Sequence, residues 1–232
     1  MLDAGTGRHS LGWVSRLPTS GWTAVTGDIY RAKALESEFK KRMRGEDRIL
    51  SGNWTDRTLL EGERFEVVLA DYLLGAIDGH APYFQDRLFT RLRPLVGERL
   101  YVVGLEPFPG SPATDAGRLV TDIARLRDAC ILLAGHRCYR EYPRAWTERK
   151  LREAGFSIEH SLSIPIRFGR KYVDGQLDVC LSKLGFFRSE GLASQMREDI
   201  EALRKRGLAL ALEKGGLAFG EDYVISCRPG GG

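Results

Sequence analysis

The sequence predicts an α/β fold: a mostly parallel sheet with helices on both faces. Three observations carry this. Short β-prone runs alternate with helical stretches, the pattern of a parallel sheet built from crossover units. One of these runs, residues 65–70, is almost continuously apolar, as a strand covered on both faces requires. Several runs end in an acid or amide, at Asp3, Asp28, Asn53, Asp71 and Glu106, where open α/β sheets bind ligands.

The elements follow in order. The chain opens on an apolar start that reaches Asp3, then places Gly5 and Gly7 at alternate positions around Thr6. Glycine lacks Cβ, so such a turn lets a ligand approach the backbone. Leu11, Val14 and Leu17 have helical spacing over residues 8–17, and Pro18 and Gly21 stop that helix. Residues 22–25 are the next strand, ending at Thr26-Gly27-Asp28, and residues 30–43 read as a surface helix. A strand over 48–51 leads into Gly52-Asn53-Trp54. The strand over 65–70 leads into Asp71-Tyr72-Leu73-Leu74. A helix over 80–94 and a strand over 100–105, ending at Glu106, complete the first half. Beyond them lie an arginine-rich helix over 119–133, a polar and aromatic stretch over 135–143, and a helix over 146–154 stopped by Gly155. Residues 156–168 read as a strand interrupted by Pro165. Residues 174–215 read as two helices broken near 185–191, and residues 223–227 as the last strand.

Composition narrows the function classes. The 232 residues suit one domain, spanning 1–232, with helical insertions at about 110–154 and 174–215. The formal charge of +4 permits an anionic substrate without demanding nucleic acid. The four cysteines form no C-x-x-C pair, and the four histidines have no paired ligand spacing, so no metal site is expected. The cysteines read as reduced thiols, which points to the cytoplasm. No apolar run reaches membrane-spanning length. Because the chain begins almost on its first strand, further sequence upstream is expected, and an organellar targeting segment could belong to it.

Asp3-Ala4-Gly5-Thr6-Gly7 resembles the D-x-G-x-G loop of the class I, Rossmann-like, S-adenosylmethionine (SAM) dependent methyltransferases. The ordered series that continues through Asp28, Gly52-Asn53, Asp71 and Ala154-Gly155-Phe156 is similar to that family's series. The dinucleotide fingerprint G-x-G-x-x-G fits less well, since Ser10 stands where its last glycine would fall. His9 replaces the third glycine of the longer methyltransferase pattern. The resemblance implies a seven-stranded sheet whose last strand is antiparallel, here after a helical insertion. It implies SAM as cofactor, with Asp3, Gly5, Thr6 and Gly7 against its methionine and ribose part, and with Asp71 nearby. Asp28 suits the ribose hydroxyls, with a helix N-cap as the alternative. Asn53 suits the adenine amino group, and Trp54 suits either the adenine face or the core.

Methyl transfer asks the protein mainly for proximity and orientation. Asp71, Tyr72, Glu106 and His136 are the candidates for a base if one is needed. Arg137, Tyr139 and Arg140, with Glu106, are candidates for the acceptor side. An arginine fork suits carboxylate or phosphate, so an anionic or aromatic small molecule is the expected acceptor, ahead of a protein. Asp71-Tyr72-Leu73-Leu74 departs from the motif of many nucleobase amino-methylating enzymes, which lowers nucleic acid as a substrate. A noncatalytic SAM-binding protein is the alternative reading, and an NAD(P)-dependent oxidoreductase a third. Oligomeric state is not legible.

Overall fold

The computed structural model describes residues 1–231. Its strands and helices run β1 (Leu2–Asp3), α1 (Arg8–Val14), β2 (Thr23–Thr26), α2 (Ile29–Phe39), β3 (Arg48–Ser51), β4 (Phe65–Asp71), α3 (Leu73–Ala76), α4 (Gln85–Leu92), β5 (Val96–Leu105), α5 (Asp115–Leu133), α6 (Arg144–Glu153), β6 (Phe156–Phe168), α7 (Arg170–Lys183), α8 (Glu190–Glu213) and β7 (Leu217–Pro229). The chain divides into two compact units. Among the described residues the first holds 1–106, 139–163 and 222–231, and the second holds 107–138 and 164–221.

The strands form one seven-stranded sheet in the order β3-β2-β1-β4-β5-β7-β6. Pairing is parallel from β3 through β5, and β7 joins β5 antiparallel, with Leu100 opposite Cys227 and Leu105 opposite Asp222. This is the mixed sheet expected from the sequence. The strand order reverses between β1 and β4, so their carboxyl ends flank a crevice with no crossover helix lying across it.

Alternation along the strands builds the first unit. Val68 and Ala70 of β4, and Leu100 and Val102 of β5, enter one apolar cluster with Leu88, Phe89 and Leu92 of α4 and Leu151 of α6. Leu69, between them, enters the opposite cluster with Leu11 and Val14 of α1 and Leu35 and Phe39 of α2. Successive strand residues point to opposite faces, and both faces here are covered, which explains the apolar run. Burying each aliphatic side chain of this kind contributes roughly 1.5–3 kcal/mol.

The second unit has its own core, in which Leu119, Val120, Ile123 and Cys130 of α5 meet Val173, Leu177 and Cys180 of α7 and Ile200 of α8. Thr114 caps α5 by accepting the Gly117 N–H at 3.0 Å, and Ser189 caps α8 by accepting the Leu192 N–H at 3.2 Å. The expected interruption at Pro165 does not occur, since β6 runs through it. β6 is the edge strand of the sheet, where a residue without an N–H is tolerated. Among the described residues no helix is long and apolar enough to cross a membrane.

Candidate cofactor cleft

The first unit carries a cleft lined by Ala4, Gly5 and Thr6 after β1, by Val25, Thr26 and Gly27 at the end of β2, and by Gly52, Asn53 and Trp54 after β3. Arg31, Leu73, Ala76, Ile77, His80 and Tyr139 complete its lining. Its volume is about 90 Å³. Ligand pockets for drug-sized molecules run from roughly 300 Å³ upward.

The glycine loop is shaped by packing on one side and open on the other. A Cβ on Gly5 would lie 2.9 Å from Leu73 Cβ, so α3 can seat on the loop only because residue 5 has no side chain. At Gly7 nothing lies within 4 Å of where a Cβ would be. The Gly7 N–H is held by Ser10 Oγ at 3.1 Å, which fixes the turn.

Asp3 is fully buried at the bottom of this loop, and neither carboxylate oxygen has a hydrogen-bond partner. Burial pushes its pKa up to about 6. The Thr6 and Ser10 hydroxyls and the Gly5 N–H lean toward it and lower the value somewhat, without a well-formed bond to either oxygen, while Asp71 adds to the rise. Thr6 Oγ1 is likewise buried and unpartnered. A buried carboxylate without a partner is costly and calls for a cationic or hydrogen-bond-donating ligand.

Asp28 is the N-cap of α2, where its Oδ1 accepts the Tyr30 and Arg31 N–H groups at 2.8 and 3.2 Å. The capping alternative is therefore realised, and Asp28 does not line the cleft. Its second oxygen is not used by the cap. Asn53 donates to the His80 carbonyl at 2.8 Å and accepts from the Thr55 N–H at 3.0 Å. Trp54 is buried, and its indole N–H donates to the Ala4 carbonyl at 2.8 Å, which ties the β3 loop to the glycine loop. Trp54 thus belongs to the core while one surface lines the cleft.

The remaining candidates separate. Asp71 ends β4 and Tyr72 follows it as the residue before α3, and burial raises the pKa of both. Glu106 accepts the Arg144 backbone N–H at 2.9 Å and so helps start α6. Of the polar stretch near residue 140, only Tyr139 lines the cleft, with its ring against Gly79. Arg140 is exposed, and its backbone N–H is bonded to the Gly75 carbonyl at 3.1 Å. His136 and Arg137 fall in the second unit, where His136 packs edge-on against Phe186 at 5.0 Å. Sequence reasoning missed His80, whose ring fills the space beside Gly27. A Cβ on Gly27 would stand 2.7 Å from it. Asp222 was also missed, because only the antiparallel pairing of β7 brings it to the end of β5.

The sheet order, the glycine loop after the first strand and the antiparallel last strand together define the fold of the class I SAM-dependent methyltransferases. Solved structures of that fold resemble the chain along its whole length. A candidate methyltransferase from Bacillus halodurans C-125 superposes with a TM-score of 0.62 at 14% identity, covering 99% of this chain and 92% of that one. The [4+2]-cyclase SpnF gives 0.57 at 13% identity, covering 100% and 74%. Coclaurine N-methyltransferase, solved with N-methylheliamine and S-adenosylhomocysteine (SAH), gives 0.55 at 13% identity, covering 98% and 66%. No protein-family model matches the sequence, and no curated protein matches it significantly.

Proposed function

We propose that this protein is a SAM-dependent methyltransferase acting on a small-molecule acceptor. The observation that carries the reading is the buried, unpartnered carboxylate of Asp3 beneath a glycine loop at the reversal of strand order. SAM bears an ammonium and a sulfonium, and a fixed carboxylate in a water-poor site suits such a ligand. Asp3 and the Gly5–Gly7 loop would hold its methionine part. The free oxygen of Asp28 would reach toward the ribose hydroxyls, and the Asn53-Trp54 loop would meet the adenine. SAM-bound chemistry would supply an electrophilic methyl carbon, and the protein would orient an acceptor toward it. SAH in a similar fold, in coclaurine N-methyltransferase, supports the cofactor assignment.

Room must be made, because the cleft is about 90 Å³ and His80 occupies the space beside Gly27. That closure favours a second reading, in which the fold binds the cofactor without transferring its methyl group. A cyclase shares the fold, so fold alone does not define the reaction. The deciding experiment has two stages. Thermal shift with SAM, SAH and NAD(P)H identifies the ligand, since only a ligand of the native state raises the melting temperature. Labelled SAM with a metabolite extract then reads transfer. A shift with NAD(P)H alone rejects both readings, and SAM binding without labelled product selects the second.

A further inference from the structure

The segment that leads into α6 carries a tyrosine to the cofactor cleft. Residues 136–143 form neither helix nor strand. Within the first unit, Tyr139 lines the cleft and yet remains 52% exposed. The segment lies along α3 and the single turn after it, where Gly75 and Gly79 stand four residues apart, on one face of the helical path. A Cβ on Gly75 would come within 2.6 Å of the Glu141 carboxyl carbon, and a Cβ on Gly79 within 3.2 Å of the Tyr139 ring. The two glycines thus make a track, free of side chains, on which residues 139–141 lie. The Arg140 N–H donates to the Gly75 carbonyl at 3.1 Å, a bond that belongs to no helix or strand ladder.

The root of this segment is fixed and its tip is lightly held. At the root, the Tyr142 carbonyl accepts the hydroxyl of buried Tyr223 at 3.1 Å, and the Tyr142 ring stacks on Trp146 at 4.3 Å. Tyr139 and Arg140 at the tip are exposed. An exposed backbone bond of this kind contributes little net stability, so the tip can lift at small cost. The other walls of the cleft give less. Val25, Leu73 and Ile77 are buried in the core, and Trp54 is tied to the Ala4 carbonyl at 2.8 Å. His80 is held through its own carbonyl by Asn53, so its ring can swing while its backbone stays. Tyr139 can leave with its backbone. The cleft holds about 90 Å³, where a drug-sized ligand needs roughly 300 Å³ or more.

We propose that residues 139–142 are a strap over the cofactor cleft, which lifts from the Gly75–Gly79 track to admit SAM and on closing lays the Tyr139 ring against the adenine. This rests on the SAM-binding reading and deepens it. It moves Tyr139 from the acceptor side, where the sequence suggested it, to the cofactor. A tyrosine ring offers a flat apolar face to a heteroaromatic base and keeps its hydroxyl end wet, which agrees with a side chain that both lines the cleft and meets solvent. Segments that open for ligands are drawn from the least stable parts of a fold, and this one joins a fixed root to a loose tip.

The test uses the full chain and SAH, with amide hydrogen exchange and stopped-flow binding as readouts. Saturating SAH should slow exchange over residues 139–142 by about tenfold or more. Tyr139→Ala should release SAH about tenfold faster, while Tyr139→Phe, which keeps the ring, should stay within about twofold of wild type. Gly75→Ala, which displaces the Glu141 carboxylate from the track, should let SAH associate several-fold faster. Exchange over 139–142 that SAH leaves unchanged, wild-type release from Tyr139→Ala, equal losses in Tyr139→Ala and Tyr139→Phe, or wild-type association in Gly75→Ala each overturns the strap and leaves the SAM site in place. Failure of the wild-type chain to bind SAH is a different result, and it removes both.

Discussion

Leu73 packs directly on Gly5: a Cβ on residue 5 would lie 2.9 Å from Leu73 Cβ and 3.0 Å from its Cδ1. Two glycines only two positions apart therefore do different work. Gly5→Ala should force α3 off the loop and cost about 1–3 kcal/mol of stability, the usual range for overpacking. Gly7→Val projects into open space, so it should fold normally and lose SAM binding. Urea denaturation and SAM titration on both variants separate the two roles. A Gly7→Val protein with wild-type SAM affinity would show that the cofactor lies elsewhere.

Asp3 should trade stability for binding. Its pKa of about 6 lies above the ordinary carboxyl value, so the native state holds the proton more tightly than the unfolded chain. Between about pH 4 and 6 stability should fall as pH rises, and the cost persists at neutral pH. Asp3→Asn should then stabilise the ligand-free protein on the order of 2–3 kcal/mol at pH 7 and weaken SAM binding. Melting curves with and without SAM test both halves, and a destabilised Asp3→Asn would contradict the burial argument.

Asp28 serves a helix cap, so its variants must be chosen with care. Asn caps about as well as Asp, so Asp28→Asn should leave stability unchanged and weaken SAM binding by roughly 1.5–3 kcal/mol. Asp28→Ala should lose a further 0.5–2 kcal/mol or so of folding stability. Unchanged SAM affinity in Asp28→Asn would reduce this residue to its capping role.

Asp47 should show the opposite pH behaviour from Asp3. Burial alone would raise its pKa. The Arg44 side chain and backbone N–H and the Trp22 N–H, at 2.9 Å, outweigh that and hold it below the ordinary range. Its stabilisation is therefore present above about pH 4 and is lost as pH falls through the lower folded value. Asp47→Asn should flatten the acid limb of the stability curve below pH ~4, read from urea midpoints across pH. An unchanged acid limb would place the effect in other carboxylates.

His80 stands where the cleft must widen. Its carbonyl is tied to Asn53 at 2.8 Å and its ring covers Gly27. His80→Ala should speed SAH association several-fold, with little change in melting temperature, because the ring is exposed on its outer side. Stopped-flow binding measures this, and an unaltered association rate would mean that another element gates entry.

The sequence by itself determined the sheet and singled out several of the residues that line the candidate cleft, Gly5, Thr6, Asn53 and Trp54 among them. Periodicity carried the first: Val68, Leu69 and Ala70 are all buried because both faces of β4 are covered, and a strand of that kind must read as an apolar run. Local chemistry carried the second, since Asp3, Gly5 and Gly7 act within a few residues of one another along the chain. Tertiary structure alone decided the rest. Nothing near position 80 announces that its ring will meet Gly27, and nothing near position 222 announces that β7 will set it opposite Leu105 at the end of β5. The polar stretch from His136 to Tyr142 read as one cluster, yet the chain divides after Cys138 and only Tyr139 lines the cleft. Such meetings depend on strand register and on which face a side chain leaves, and a one-residue change of register reverses that face. Local spacing specifies what each segment becomes, whereas the company a side chain keeps is set by segments distant along the chain, as at Gly27 and His80.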